Sequence, residues 1–543
     1  MPVVTASRSS PQPIEAWPNH EHYVYRILSA LIREPKRTAV IGADLSLTAG
    51  AFAQSILAAA SLLRRSGAAP RSTVAILTEA NHPHMLTFRY AAHLLGATAV
   101  YIRSNNARSD QEMLPATDQA HMLAEVGAGL LVADAANISR GRDLCRDLPC
   151  DAVAAELDVG AAGESAVDLG RSARALPSAG YGPHSRLLVT YTSGSTGKPK
   201  GVCQSYRGWN TVVARFEAGV CRPLPCRFLA VTPVGQTVGL MLDASLAAGG
   251  SVVLREYFTA DGVLHAFAEL GVTDCYLAVP HLYALSDDTR IARTDLSQLR
   301  HVIYSGSPAA PHRMAGAARV FGLALVQSYG STEAGPITYL GPREHRDASL
   351  LPTVGRPYPD VRVRVCHQGP GRELPAGRTG EIWVQSRNLM EGYLSDPELN
   401  TKVLRDGWLR TGDLGYWDDR GYLRLVDRID HVIKNSGLKI YPATIEKALM
   451  MHHDVSGAAV FGIRHRNDYE EAYAAITFRP GAACTLSELR EHLSAALLPA
   501  QVPATIAQWA VLPTDDSGKT DKRRLRAFVE AGDCGRHGLL AEG

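Results

Sequence analysis

Residues 187–202 read LLVTYTSGSTGKPKGV, an apolar strand pattern that runs straight into a loop built from Thr, Ser, Gly and Lys. Such a loop presents bare backbone N–H groups, hydroxyl donors and cations, the chemistry that phosphate oxygens require. Polyphosphate binding is the natural inference, with a plain polar hairpin as the alternative for this stretch in isolation. It is not a Walker A loop. Gly194 and Gly197 are separated by two residues rather than four, and Lys198 is followed by Pro199.

Outward from this loop the chain alternates short β-branched runs with Ala/Leu-rich helical stretches. TAVIG (38–42), AFAQSILAAASLLRRSG, TVAIL, HMLTFRYAAHLLG and ATAVYI follow one another before it. This rhythm predicts β-α-β units and a parallel sheet covered by helices. Residues 138–183 break the rhythm with Gly, Arg, Asp, Pro and Ser and are expected as a meandering connection. Beyond the loop, FLAVT (228–232), SVVLREY (251–257), TDCYLAV (273–279), HVIYSG (301–306) and LALVQSYG (323–330) predict a second wound sheet. Residues 352–427 change to strands with Gly/Pro/Asp turns and predict a smaller, mainly β unit. From Asp430 two helical patterns beside two strand patterns predict a compact α/β lid. The expected organisation is a loose leader at 1–24, a large N-terminal domain at 25–429, a mobile C-terminal lid at 430–530 and a disordered tail at 531–543.

Length and composition bound the function. The 543 residues, 46% hydrophobic and 20% charged, are enough for several structural units and exclude a wholly disordered or collagen-like chain. The 56 Lys and Arg nearly cancel the 54 Asp and Glu, so no overall basic field points to nucleic acid. Nine thinly spread cysteines fit reduced thiols, and hence a cytoplasmic setting, better than a disulfide framework. No apolar run reaches the ~18 residues that span a membrane.

Further stretches follow in a fixed order: YSGSPAAP (304–311), SYGSTEAGP (328–336), GEIWVQSRNLMEGYL (380–394), WLRTGDLGYWDDRGYLRLVDRIDHVIKNSGLKIYPATIE (408–446) and SGKTDKRRLR (517–526). With the loop at 187–202 they resemble the acyl-adenylate-forming ligases, the superfamily of acyl- and aryl-CoA synthetases, luciferases and peptide-synthetase adenylation domains. The resemblance covers about residues 25–530. It implies an α/β fold with two wound sheets and a small β subdomain, followed by a small α/β lid.

The resemblance also implies roles. Thr192, Ser193, Ser195, Thr196 and Lys200 resemble the residues that hold the β and γ phosphates of ATP. Tyr329 resembles the aromatic that packs on adenine, with Gly306, Ser307 and Pro308 on its other side. Thr332 is similar to the hydroxyl at the α-phosphate and Glu333 to the Mg²⁺ ligand, a hard cation on oxygen donors. Asp413 resembles the carboxylate that takes both ribose hydroxyls, and Arg428 the arginine near ribose and phosphate. Asp430 matches the hinge, Lys519 the catalytic lysine carried by the lid, and Gly437 the glycine beside which a pantetheine thiol passes.

Gln236, Thr237, Ser305 and Gly330 are expected to line the acid site. Gln236 stands where many acyl ligases carry an aromatic or His in P-x-x-H-x-x-G. Thr237 stands where α-amino-acid adenylation domains usually carry an Asp, which argues against an α-amino acid. The expected activity is ATP-dependent conversion of an aryl or short-to-medium acyl acid to acyl-AMP. Transfer to the thiol of CoA or of a carrier-protein phosphopantetheine follows, with an acyl carrier protein as an expected partner. The alternatives are another acceptor or oxyacid, as in amide formation or nitrite activation, or a non-catalytic nucleotide-binding homologue.

Overall fold

The computed structural model describes residues 22–103, 113–154, 182–192, 199–222, 224–235, 237–369, 371–435, 438–464, 470–514, 520–531 and 539–542. Its N-terminal part is built on two large sheets. One has the order 392–393, 200–205, 186–192, 98–101, 73–77, 130–133, 151–154, and the other the order 356–357, 335–340, 325–331, 301–305, 274–278, 227–230, 251–254, 38–41, 46–48. Most neighbours within them run parallel, as the β-α-β rhythm predicts.

The helices between the two sheets explain the hydropathy of the chain. Helix Pro83–Leu94 packs on strands Thr73–Leu77 and Thr98–Tyr101, and helix Thr237–Ala248 on strands Arg227–Ala230 and Ser251–Leu254. Every residue of the first except His84, and all of the second except Thr237 and Ala247, is buried. A helix covered on all sides reads as apolar all round. Where the two helices meet, Arg89 pairs with Asp243, both wholly buried. Asp243 also accepts from Tyr90 Oη (2.5 Å) and Trp209 Nε1 (2.7 Å). Burial alone pushes the Asp243 carboxyl upward, and these three donors oppose that shift.

A third sheet, of Arg362–Cys366, Gly380–Gln385, Leu404–Arg405, Trp408–Trp417 and Leu423–Arg428, follows. The C-terminal part has a hairpin, Ile433–Asn435 with Leu438–Ile440, and a sheet of Val455–Arg464, Glu470–Phe478, Thr505–Trp509 and Leu539–Glu542. Helices Pro442–Met450 and Leu486–Ala496 pack on its core. Helix Leu486–Ala496 opens with a reciprocal cap between Thr485 and Glu488. The α/β class, with a large N-terminal and a smaller C-terminal unit, agrees with expectation.

Three local readings differ. TAVIG precedes the phosphate loop in the same β-α-β rhythm as TVAIL, but Thr38–Ile41 pairs in parallel with Ser251–Leu254 of the other sheet. Residues 138–154 are not a meander. They form helix Ile138–Cys145 and strand Asp151–Ala154, which completes the edge of the first sheet beside Leu130–Ala133. Within the expected tail, Leu539–Glu542 adds an antiparallel strand beside Thr505–Trp509.

Candidate active site

The site is assembled where strand ends of the second sheet meet the third sheet. Strand Leu325–Ser331 carries Tyr329, then turns tightly into strand Gly335–Leu340. The turn is fixed by the Ala334 N–H donating to Ser331 Oγ (3.2 Å) and by Gly335 at φ 64°, a conformation that suits glycine. At its apex stand Thr332 and Glu333. Gln204 Nε2 donates to the Thr332 carbonyl (3.3 Å), and the Met390 N–H to the Glu333 carbonyl (2.7 Å). The turn backbone is therefore held from two sides, leaving the two side chains to act outward.

Asp413 and Arg428 are register partners on adjacent antiparallel strands, Trp408–Trp417 and Leu423–Arg428. Their side chains form an ion pair at 3.3 Å, and Tyr329 Oη donates to the other Asp413 oxygen at 2.6 Å. The Asp413 N–H donates to Thr411 Oγ1 (3.0 Å), and Thr411 Oγ1 donates to the Ile382 carbonyl (2.9 Å). Burial, reinforced by the Asp413 charge, holds the Tyr329 phenol well above its ordinary value, so it stays a donor. Burial opposes the Arg428 charge, but Asp413, Glu333 and Asp430 outweigh it and raise its pKa. The guanidinium thus pairs with Asp413 within the field of Glu333 and Asp430, and tyrosine, aspartate and arginine form a polar frame.

Glu333 is oriented by a residue whose role the sequence reading did not single out. Tyr393 Oη donates to Glu333 Oε1 at 2.8 Å, and burial and the Glu333 charge raise its pKa. Lys200 Nζ lies 5.7 Å from the centre of the Tyr393 ring, a cation–π approach. Lys200 is also the register partner of Thr192, so the two flanks of the phosphate-loop motif adjoin. The signal for Tyr393 was present in the GEIWVQSRNLMEGYL stretch. Its partner Glu333 became evident only when strand Gly392–Tyr393 paired with Lys200–Ser205.

Gly306 follows strand His301–Ser305 with φ 101°, ahead of Ser307 and Pro308. Ser305 hydrogen-bonds the partly buried Tyr276 phenol. Gly330 lies so close to the Gly335 carbonyl that any Cβ would collide with it. Thr237 opens helix Thr237–Ala248. The segment before it is latched by Asn81, whose Nδ2 donates to the Thr232 (3.0 Å) and Arg255 (2.8 Å) carbonyls and whose Oδ1 accepts the Val234 N–H (3.0 Å). A cavity beside that segment is lined by Asn81, Met85, Tyr101, Arg103, Thr190 and Gly235. Asp430 sits in the 3₁₀ turn Ile429–His431 that follows Arg428. Ser193, Ser195, Thr196, Gln236, Gly437 and Lys519 lie outside the described residues.

A frame of acceptors, phenols and a guanidinium beside a loop of phosphate-binding composition suits a nucleotide. The Glu333 carboxylate, fixed through one oxygen by Tyr393, keeps lone pairs for a hard cation, which fits Mg²⁺. No helix among the described residues is long and apolar enough to cross a membrane.

Comparison with known proteins agrees with this chemistry. The AMP-binding enzyme family matches residues 29–394, and the AMP-binding enzyme C-terminal domain matches residues 444–519. A feruloyl-CoA synthase from an Amycolatopsis species is 32% identical over 91% of this chain and 96% of its own length. An indoleacetate–CoA ligase from Aromatoleum aromaticum is 32% identical over the same shares of the two chains. Among solved structures, the amide bond synthetase McbA from Marinactinospora thermotolerans aligns at a TM-score of 0.80. It is 31% identical, with 92% of this chain and 99% of that one covered. The o-succinylbenzoate CoA synthetase MenE from Bacillus subtilis, solved with ATP and a magnesium ion, aligns at a TM-score of 0.77. It is 25% identical, with 92% and 99% of the chains covered.

Proposed function

Since the chain belongs to the AMP-binding enzyme family and is an acyl-CoA synthetase-like, adenylate-forming enzyme, we propose that it activates an aryl or short-to-medium acyl carboxylic acid and passes the acyl group to the thiol of CoA. The observation that carries this reading is the frame of Tyr329, Asp413 and Arg428 next to Glu333.

In the proposed reaction ATP lies with its adenine against Tyr329, between it and Gly306, Ser307 and Pro308. The Asp413 carboxylate, whose oxygens keep spare lone pairs beside the Tyr329 and Arg428 bonds, accepts both ribose hydroxyls. Thr192, Ser193, Ser195, Thr196 and Lys200 hold the β and γ phosphates. Glu333 would hold Mg²⁺, which when bound neutralises charge on the triphosphate. The acid lies against Gln236, Thr237, Ser305 and Gly330. A carboxylate oxygen of the acid attacks the α-phosphorus, and the bond to the pyrophosphate oxygen breaks. Thr332, Arg428 and Lys519 stabilise the charge that develops on the transferring phosphoryl group. Acyl-AMP and pyrophosphate result.

For the second step the C-terminal domain, taken as 430–530, turns about Asp430, withdraws Lys519 and brings Gly437 beside the path of the thiol. The thiol sulfur attacks the acyl carbon, AMP leaves with the bonding electron pair, and the thiol proton is lost to solvent. Buried thiols outside any disulfide at Cys203 and Cys275 suit the reducing conditions of a cytoplasmic setting. The 32% identity to feruloyl-CoA and indoleacetate–CoA ligases supports an aryl acid. Thr237 supplies no anion for an ammonium, which disfavours α-amino acids.

A second reading, with an amine as acceptor, is favoured by one finding, the 31% identity to an amide bond synthetase. Pyrophosphate release with a panel of acids separates the outcomes, run without acceptor, with CoA and with primary amines. The proposal expects aryl acids to release pyrophosphate and CoA to accelerate turnover. Acceleration by amines alone would transfer the assignment to amide formation. Selective activation of a standard α-amino acid, activation of nitrite alone, or ATP binding without acid-dependent release would overturn it.

A further inference from the structure

The C-terminal unit gathers a second set of chemically capable side chains that the proposed reaction does not use. The turn after helix Pro442–Met450 presents His452, His453 and Asp454 to the segment leading into helix Leu486–Ala496, which carries Cys484 at its approach and His492 within it. One ligating atom each from His452, Asp454 and Cys484 lies within 4.8 Å of the other two, and all three residues are partly buried.

Their orientation is set by the backbone. Asp454 Oδ2 accepts the N–H groups of Cys484 (3.0 Å) and Ala483 (3.3 Å), which leaves Oδ1, beside the exposed His453 Nε2 at 3.3 Å, as the oxygen to ligate. His452 Nδ1 accepts the Asp454 N–H over 3.3 Å, so the neutral ring carries its proton on Nε2 and a metal takes Nδ1 by displacing this one long bond. His492 stands edge-on to His452 with ring centres 5.3 Å apart. Its Nε2 lies 3.1 Å from the Ala448 carbonyl, so Nε2 holds the proton and Nδ1 keeps its lone pair. A backbone carbonyl on the non-ligating nitrogen is the arrangement that fixes metal-bound histidines.

We propose that His452, Asp454 and Cys484, with His492 as the fourth donor, form a binding site for a divalent transition-metal ion of the zinc class. One sulfur, two imidazole nitrogens and one carboxylate oxygen make a tetrahedral set that selects such an ion over Mg²⁺. Bond lengths of about 2.0–2.3 Å place the donors of such a site roughly 3.3–3.8 Å apart, so the His452, Asp454 and Cys484 atoms, within 4.8 Å of one another, close by at most about 1.5 Å. Binding forms a metal–sulfur bond, and the thiol proton leaves to solvent. The bound ion ties the turn at 452–454 to the start of helix Leu486–Ala496.

The test is titration of the full-length chain with Co²⁺ after removal of adventitious metal, followed by near-ultraviolet thiolate-to-cobalt charge transfer and by the visible bands of tetrahedral cobalt. One Co²⁺ per chain should produce both signals, and Zn²⁺ should erase them. Cys484→Ser should lose the charge-transfer band, and His452→Ala and His492→Ala should each weaken Co²⁺ binding at least about tenfold. All three variants should keep the wild-type circular dichroism and acid-dependent pyrophosphate release, which separates this site from the reaction site. Absence of a thiolate band in the wild type, its persistence in Cys484→Ser, or undiminished affinity in either histidine variant would overturn the proposal.

Discussion

Replacing Asp413 with Ala should cripple the use of ATP while leaving the affinity for the acid nearly unchanged. In the structure this carboxylate receives Tyr329 Oη at 2.6 Å and Arg428 at 3.3 Å, and its backbone N–H is pinned by Thr411. Its remaining lone pairs are the proposed acceptors for the ribose hydroxyls. A hydrogen bond to a charged group contributes about 1.5–3 kcal/mol, which corresponds to about 10- to 150-fold in kcat/KM for ATP. Loss of the second hydroxyl moves the effect toward the upper end. The same substitution leaves the buried Tyr329 phenol without its acceptor, at a stability cost of about 1–3 kcal/mol. Asp413→Asn restores an acceptor for the phenol, so it should recover thermal stability but not ATP use. Steady-state kinetics with each substrate varied in turn, together with thermal melts, read both effects. A kcat/KM for ATP within twofold of wild type in Asp413→Ala would refute the assignment.

Glu333→Gln should raise the Mg²⁺ requirement and slow adenylation without unfolding the protein, measured as pyrophosphate release across a Mg²⁺ titration; unchanged activity at low Mg²⁺ would place the metal elsewhere. Lys519→Ala should slow acyl-AMP formation by about 10²–10³, yet convert synthetic acyl-AMP and CoA at close to the wild-type rate. Equal losses in both half-reactions would remove the alternating role from the C-terminal domain. Asp243→Leu should cost about 3–5 kcal/mol in denaturant unfolding because it strands the wholly buried Arg89 charge. Arg89→Met added to it should regain much of that loss, and strict additivity would show that the pair is not coupled. His22 is buried and its pKa is lowered to about 3, chiefly by burial and then by Arg26. Because the unfolded histidine titrates near 6.5, it adds no pH dependence above that value. Between 6.5 and about 3 it lowers stability by about 1.4 kcal/mol per pH unit. His22→Asn, which can still accept the Val24 N–H of the helix cap, should flatten the slope, and an unchanged slope would assign it to other groups.

What was legible in the sequence was whatever is encoded locally. Tyr329, Thr332 and Glu333 sit on one strand and its turn, and Asp413 and Arg428 on two strands joined by a short loop, so a linear motif carries their placement. Sheet membership is a non-local property, and it was misjudged once. Strand Thr38–Ile41 has the same alternating surroundings as Thr73–Leu77, yet its parallel partner is Ser251–Leu254. Polar composition concealed helix Ile138–Cys145, which turns Gly141, Leu144 and Cys145, with a partly buried Ile138, toward the core. Tyr393 was invisible as a partner of Glu333 because the contact depends on strand Gly392–Tyr393 reaching back to Lys200–Ser205. The His452, Asp454 and Cys484 group was missed for the same reason, since its members are joined only when the turn after one helix meets the start of another.

In the proposed reaction a carboxylate oxygen of the substrate attacks the α-phosphorus of ATP. Turnover of an accepted acid labelled with ¹⁸O in both carboxylate oxygens, in the presence of CoA, tests it directly by mass spectrometry of the nucleotide product. AMP should carry a single ¹⁸O, together with unlabelled pyrophosphate. Unlabelled AMP, or ADP with labelled phosphate, would contradict it.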